Sequence, residues 1–464
     1  MSIIHVDKMD MSLNEIAKIT EGELFFSRPV TIKNISLDSR EIEEGTLFIA
    51  IKGERFDGHD YIGKAFEDGA ACIVAERIPY KVKGNVILVD STLDALHRIA
   101  GRHREDVGAL TVGITGSVGK TTTKQFISSV LAVKYKTHKT DRNFNNEIGL
   151  PLTVLKMPSD ADALVLEMGM SFKGEIERLS KTAQPDIAVI TNIGTSHIEN
   201  LGSREGIRDA KLEIRAGLKK DGKLILSGDE PLLFGIDNAI YVGIKNELCD
   251  YRAVNLREDV GGTTFDIVKK NGEICRDLRI NIPGMHNVMN ASFAYAVGDN
   301  CNMTNAEIAK GLLNFEGVEM RQNFYDFEGK TFIEDCYNAS AESMKASLSV
   351  LANSKKARGG RSIAVLGNML ELGEYSKDLH VSVGEEAARL EIDKLYLFGT
   401  DAGYIGDGAE SFGIKPESIK RFSDISSADE IGECLKHELQ RGDNVLFKAS
   451  RGVKLERVIE YLKN

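Results

Sequence analysis

The run Thr111-Val-Gly-Ile-Thr-Gly-Ser-Val-Gly-Lys-Thr121 decides the fold. A strand-like stretch, Thr111 to Thr115, enters it. A helix leaves it, with Phe126, Ile127, Val130 and Leu131 recurring at helical spacing. Glycines at 113, 116 and 119 let the backbone turn tightly and aim its amides at one anion, and the helix N-terminus adds partial positive charge. In such a loop Lys120 neutralises β- and γ-phosphates, and the Thr121 hydroxyl sits on Mg²⁺. The common form has four residues between its first glycine and the Gly-Lys pair. Here the glycines are spaced three and three, so the generic pattern fits only from Gly116 onward.

Outward from the loop, strand-like runs at Ala163 to Leu166, Asp186 to Thr191 and Lys223 to Ser227 alternate with helical ones. That alternation predicts a parallel sheet flanked by helices. The last third repeats it, with strands at Ser362 to Leu366, Lys394 to Phe398 and Asn444 to Phe447. Its final helix, Val453 to Leu462, sets Leu455, Val458, Ile459 and Leu462 on one face. A polar stretch at Arg102 to Leu110 reads as one boundary. A second falls at Phe315 to Gln322, ahead of a strand at Thr331 to Glu334. A chain of 464 residues suits about three domains. The expectation is an α/β protein with a small mixed N-terminal domain (1–108), a central P-loop parallel-sheet ATPase domain (109–317) and a C-terminal Rossmann-like domain (318–464). The basic run Lys355 to Arg358 reads as a solvated connector.

An apolar fraction of 42% and a charged fraction of 28% are those of a soluble globular protein. The net charge of -11 argues against nucleic-acid binding, which needs a basic face. No stretch approaches the roughly 18 apolar residues of a membrane span. Met1 to Asp10 carries charges where a secretory signal would be apolar. The expectation is therefore a cytoplasmic protein with no membrane partner; a monomer is expected, though nothing in the sequence reports the oligomeric state. Cys72, Cys249, Cys275, Cys301, Cys336 and Cys434 show no paired metal-ligand spacing and read as core residues or reduced surface thiols.

Glu167 ends the apolar strand beginning at Ala163, and His197 follows the strand Asp186 to Thr191. In a parallel sheet both emerge at the phosphate-loop edge, where ligands bind. Singly, Glu167 reads as a cap or surface carboxylate and His197 as a loop histidine. Together they read as ligands for a divalent cation. Lys211 reads as an ordinary exposed helical lysine. Lys448-Ala-Ser-Arg451 has two readings: Ser450 and Arg451 binding an incoming carboxylate, or a surface turn before the last helix.

The chain resembles the Mur ligase family over essentially its whole length. Thr115 to Thr121 is similar to that family's phosphate loop, three-and-three glycine spacing included. Asn143-Phe-Asn-Asn-Glu-Ile-Gly-Leu-Pro151, Glu167-Met-Gly-Met170, Thr191-Asn-Ile-Gly-Thr-Ser-His-Ile-Glu199 and Gly284-Met-His-Asn-Val-Met-Asn290 resemble its central-domain motifs. The resemblance implies ATP held by Thr115, Gly116, Ser117, Val118, Gly119, Lys120, Thr121 and Thr122, with Asn287 and Asn290 near the adenine. Arg321 and Asp335 would reach ATP on domain closure. It implies Mg²⁺ bound by Thr121, Glu167, His197 and a carbamylated Lys211, with Lys120, Glu167, His197 and Lys211 serving catalysis.

Two stretches resemble the family member that adds D-alanyl-D-alanine to UDP-N-acetylmuramoyl-tripeptide. One is Asp38-Ser-Arg40 with the run Gly45 to Asp60. The other is Val365-Leu-Gly-Asn-Met-Leu-Glu-Leu-Gly-Glu-Tyr-Ser376 with His380. Ser39, Arg40 and Lys52 would then hold the UDP end, and Asn145, Asn146, Tyr337 and Asn338 other parts of the substrates. The chain departs from the family at Ser340-Ala341, where Asn-Pro is usual. The implied reaction passes through an acyl phosphate, which an amine then attacks. Alternatives are the sister ligase that adds the third amino acid, whose Asp-Asn-Pro-Arg run is missing here, and a folate polyglutamate ligase. In another class stands a nucleotide-dependent switch without acceptor chemistry, which would not need Glu167, His197 and Lys211 together.

Overall fold

The structure is a computed structural model and describes residues 3–7, 11–26, 28–53, 56–78, 84–259, 261–423 and 428–464. Parts of the charged N-terminal run, and Glu54 and Arg55 of the run Gly45 to Asp60, lie outside the described residues. Among the described residues the chain carries three sheets, of five, nine and six strands. It divides into two compact units. The first comprises Met1–Thr115, Lys134–Val189 and Leu212–Leu224, and the second Gly116–Val133, Ile190–Lys211 and Ile225–Asn464.

In the first unit, β1 (Glu23–Phe25), β2 (Asn34–Ser36), β3 (Thr46–Ile49), β4 (Cys72–Ala75) and β5 (Asn85–Leu88) form the five-stranded sheet, in the order β1-β5-β4-β3-β2. Its strands run parallel except for β1 at the edge. Phe48, Ile62, Ile73 and Val86 pack its core. The same unit holds β6 (Leu110–Thr115), β7 (Thr137–Lys139) and β8 (Ala163–Glu167), with β8 parallel to both others. Within the polar stretch Arg102 to Leu110 the helix Thr92–Val107 ends, terminated by Gly108 at φ 69°. Its polar residues are helical because they have partners. Buried Arg104 reaches the Thr182 carbonyl and Gln184, while Arg102 pairs with Asp106 one turn on. The strands β9 (Ile187–Ile190) and β10 (Lys223–Ser227) follow as expected.

The second unit contains β11 (Ala239–Gly243), β12 (Tyr251–Asp259), β13 (Gly262–Lys269) and β14 (Ile274–Ile280), the last three an antiparallel meander that the alternation argument did not anticipate. Its six-stranded sheet joins β15 (Asn323–Phe327), β16 (Lys330–Glu334), β17 (Ser362–Gly367), β18 (Lys394–Phe398), β19 (Ile419–Phe422) and β20 (Asn444–Lys448) in the order β15-β16-β20-β17-β18-β19. All pairs are parallel except the β15–β16 hairpin. Phe332, Val365, Tyr396 and Phe447 pack beneath it.

Two local expectations are corrected. Lys355 to Arg358 is the last turn of helix Ala341–Arg358, where basic side chains suit the negative end of the helix and Lys355 pairs with Asp393. The final helix begins only at Glu456, because Lys454 takes a left-handed φ of 54° after a short turn at Arg451–Val453. Its predicted apolar face is nonetheless buried. Five of the six cysteines are buried, and all six are free thiols.

Candidate active site

The strand β6 delivers the chain to Gly116, and helix Lys120–Leu131 carries it away, burying Phe126, Ile127, Val130 and Leu131. Gly116 (φ 150°) and Gly119 (φ 82°) take conformations that strain any other residue. The loop is braced from Thr191 to Gly194. The Thr191 hydroxyl donates to the Val118 carbonyl at 2.7 Å, Asn192 donates to the same carbonyl and accepts from Val118 N–H, and Gly194 N–H donates to Ser117 Oγ. Sequence reasoning quoted this segment for His197 and missed its bracing role. Lys120 Nζ donates to the Gly116 carbonyl at 2.7 Å and to Ser117 O at 3.3 Å, inside the loop that would cradle phosphate.

Lys211, taken for an exposed lysine on sequence physics, is fully buried. Burial, then the charge of Lys120, hold its amine well below the ordinary lysine range. His197 opens helix Ile198–Leu201 at φ 63°, and its Nδ1 is paired with Glu371. Glu167 ends β8 at the register of Ile114, in the first unit; Asn145 Nδ2 donates to one of its oxygens at 2.8 Å. Asn146 is engaged locally, accepting from Gly149 N–H at 2.8 Å at the start of a short helix.

A cavity of about 730 Å³ within the second unit brings many sequence candidates together. Its lining includes Ser117, Val118, Gly119, Lys120 and Thr122 of the loop, then Asn287, Asn290, Arg321, Asp335, Tyr337 and Asn338. Thr115 is buried at the end of β6, and Thr121 stands in the first turn of the following helix. Asn290 Oδ1 accepts from Thr123, and Asn287 Nδ2 donates to Gln322 at 2.7 Å. The Arg321 guanidinium lies 4.6 Å from the centre of the Tyr337 ring. Asp335 pairs with buried Lys448 at 2.6 Å and accepts from Ser347. Burial pushes the Asp335 carboxyl up, but Lys448 outweighs it, leaving the group below the usual carboxylate range.

Other candidates stand apart. Ser39 is buried in the first unit; Arg40 is exposed, and its pairing with Asp38 holds that carboxyl well below its usual range. Lys52 is exposed beside a backbone bridge to Asp57. Ser450 is buried, its Oγ accepting from Leu370 N–H at 3.0 Å, and exposed Arg451 pairs with Glu456. The Ser340-Ala341 departure is a helix cap. Ser340 Oγ accepts from Ser343 N–H, and Ser343 Oγ accepts from Ser340 N–H in return.

Three family domains match the chain: the Mur ligase family catalytic domain at residues 31–104, the Mur ligase middle domain at 114–298, and the Mur ligase glutamate ligase domain at 320–451. The UDP-N-acetylmuramoyl-tripeptide–D-alanyl-D-alanine ligase of Bacillus subtilis is 42% identical over 460 residues, covering 97% of this chain and 98% of the relative. The chain belongs to the Mur ligase family. Among solved Mur ligases, MurF from Acinetobacter baumannii superposes with a TM-score of 0.88 at 29% identity, covering 98% of this chain and 99% of that one. MurF from Thermotoga maritima in complex with ADP gives 0.83 at 32% identity, covering 92% and 96%.

Proposed function

We propose that this chain is the ATP-dependent ligase that joins D-alanyl-D-alanine to UDP-N-acetylmuramoyl-tripeptide. The observation that carries the reading is the cavity in which the phosphate loop, Asn287, Asn290, Arg321 and Asp335 meet, in a chain related along its full length to ligases of that name. Among the described residues no helix is long and apolar enough to cross a membrane.

A peptide carboxylate is a poor electrophile, so it is first phosphorylated by the γ-phosphoryl group of ATP, releasing ADP. The dipeptide amine attacks the acyl phosphate, loses a proton, and the tetrahedral intermediate collapses to amide and inorganic phosphate. Lys120 and the loop amides offset the charge of the two anions being brought together. Asn287 and Asn290 face the base, while Arg321 and Asp335 reach the nucleotide from beside β15 and β16. Residues 1–108 hold the UDP end, 109–317 the ATP and 318–464 the dipeptide. Ser39, Arg40 and Lys52 serve the first role; Asn145, Asn146, Tyr337, Asn338, Ser450 and Arg451 are assigned to the remaining substrate contacts.

By residue type Thr121 (hydroxyl) and His197 (imidazole) of the second unit, and the buried carboxylate Glu167 of the first, are donors that would hold Mg²⁺. A lysine ammonium could not join them, whereas burial and Lys120 shift Lys211 toward the neutral amine, the form that CO₂ carbamylates. Bound there, the cation would neutralise phosphate charge. Mass spectrometry of the product made from ATP, UDP-N-acetylmuramoyl-tripeptide and D-alanyl-D-alanine tests the reading. A product heavier by D-alanyl-D-alanine less one water is expected. Phosphate release with a single amino acid or glutamate as the better acceptor would instead favour the sister ligase or the folate enzyme.

A further inference from the structure

The segment that follows β17, from Gly367 to Ser376, is fastened tightly to its own sheet. The Asn368 side chain accepts from Ala402 N–H at 2.8 Å, Met369 N–H donates to His380 Nε2 at 3.0 Å, and Leu370 N–H donates to Ser450 Oγ. Its tip rests on the turn that begins with His197. The Glu371 carboxylate lies against His197 Nδ1, Gly373 packs against Glu199, and Tyr375 Oη donates to the Gly202 carbonyl at 2.9 Å. Both residues hold left-handed backbones, Glu371 at φ 62° and His197 at φ 63°. Non-glycine residues adopt that conformation at a cost, which is tolerated where surroundings fix them.

We propose that Glu371 is a positioning residue for His197: by holding Nδ1 it fixes the ring so that Nε2 is the nitrogen offered to a divalent cation. A carboxylate on the far nitrogen of a metal-binding histidine sets the tautomer and orientation of the ring. Here that carboxylate comes from the C-terminal α/β part of the chain, so cation binding depends on the seating of the Gly367 to Ser376 segment. Ser450 and His380 act one step further back, as mounts for Leu370 and Met369. The proposal rests on the reading of His197 as a metal ligand.

The test is Mn²⁺ binding, measured by electron paramagnetic resonance on the full chain with a non-hydrolysable ATP analogue. Glu371→Gly suits the backbone at φ 62°, and Glu371→Ala removes the same carboxylate without adding backbone freedom. Both are expected to weaken Mn²⁺ binding by about tenfold or more. Glu371→Asp should recover part of that loss. Tyr375→Phe, which loosens the seating but spares the carboxylate, should have a clearly smaller effect. Mn²⁺ affinity within twofold of wild type in both Glu371→Gly and Glu371→Ala overturns the proposal. So does a loss in Tyr375→Phe equal to theirs, since docking alone would then account for it. His197→Ala separates the two layers: if it too binds Mn²⁺ normally, the ligand reading has failed; if it alone is weakened, only the positioning role has.

Discussion

A Cβ built on Gly116 would lie 1.9 Å from the Thr191 hydroxyl, the group that braces the phosphate loop at Val118. Gly116→Ala must therefore displace either the loop or its brace, at a φ of 150° that alanine also resists. The variant is expected to fold but to bind ATP at least about tenfold more weakly, the equivalent of one charge-assisted hydrogen bond. Calorimetric titration with ATP checks it; affinity equal to wild type would show that the loop tolerates the shift.

Asp335 and Lys448 form a nearly buried pair at 2.6 Å. Removing one partner from such a pair strands the other's charge, so Lys448→Met should cost about 3–5 kcal/mol. Asp335→Asn with Lys448→Met should recover most of that, because no unpaired charge remains. Urea unfolding of the two single variants and the double variant closes the cycle; strict additivity would count against the coupling.

The phosphate loop and the parallel strands were legible because their signals are local: glycine spacing, short apolar runs and helical periodicity. The burial of Lys211 was not, since nothing within helix Arg204–Leu212 distinguishes it from a solvated lysine; what buries it comes from elsewhere in the chain. Glu371 was quoted only as part of a motif, and its partner His197 lies far away in sequence. Thr191 and Asn192 were likewise legible as a motif but not as a brace. The meander β12–β14 went unread because its strands are bulged and partly exposed, as at Val254 to Arg257, which blurs the period of two.

Ser340-Ala341 offers a test by reversion. Ser340 is extended, at φ -139° and ψ 165°, the conformation that a following proline requires, and Ala341 is the first helical residue. Ala341→Pro should be accepted and stabilise by about 0.5 kcal/mol through loss of unfolded-chain freedom. Chemical denaturation measures it. A loss of more than about 1 kcal/mol would mean that the serine cap and a proline cannot coexist here.

His97 makes the first unit acid-sensitive. Its ring nitrogens lie 2.7 Å from Thr182 Oγ and 2.7 Å from the Glu147 carbonyl, and burial pushes it down to about 4. Between pH 6.5 and 4 the unfolded chain takes up a proton that the folded one refuses. Stability is thus intact above 6.5 and lost as pH falls, by about 2 kcal/mol at pH 4.5. His97→Gln should lower stability at pH 7 yet show a smaller further drop at pH 4.5. Unfolding at both pH values decides; equal drops would remove His97 from the acid limb.

On the proposed function, Lys211 joins stability to catalysis. Its amine is lowered by burial and by Lys120, so the folded chain binds fewer protons than the unfolded one between that lowered value and the ordinary 10.5. The group's penalty on stability is fully present below the folded value and fades as pH rises toward 10.5. In carbonate-free buffer Lys211→Met, similar in volume and never charged, should melt higher than wild type, with the gain larger at pH 6 than at pH 9. The same variant should be inactive, since it can carry no carbamate. Lys211→Ala should also lose nearly all ligase activity while still binding ATP through Lys120 and the loop. Added formate or acetate should restore part of it, because a small carboxylate fits the space the side chain leaves. Lys211→Arg should not be rescued, as its bulk fills the site and its charge persists. Full activity of Lys211→Ala in carbonate-free buffer would remove the carbamate from the reaction. A melting gain without loss of activity would make Lys211 a structural residue only.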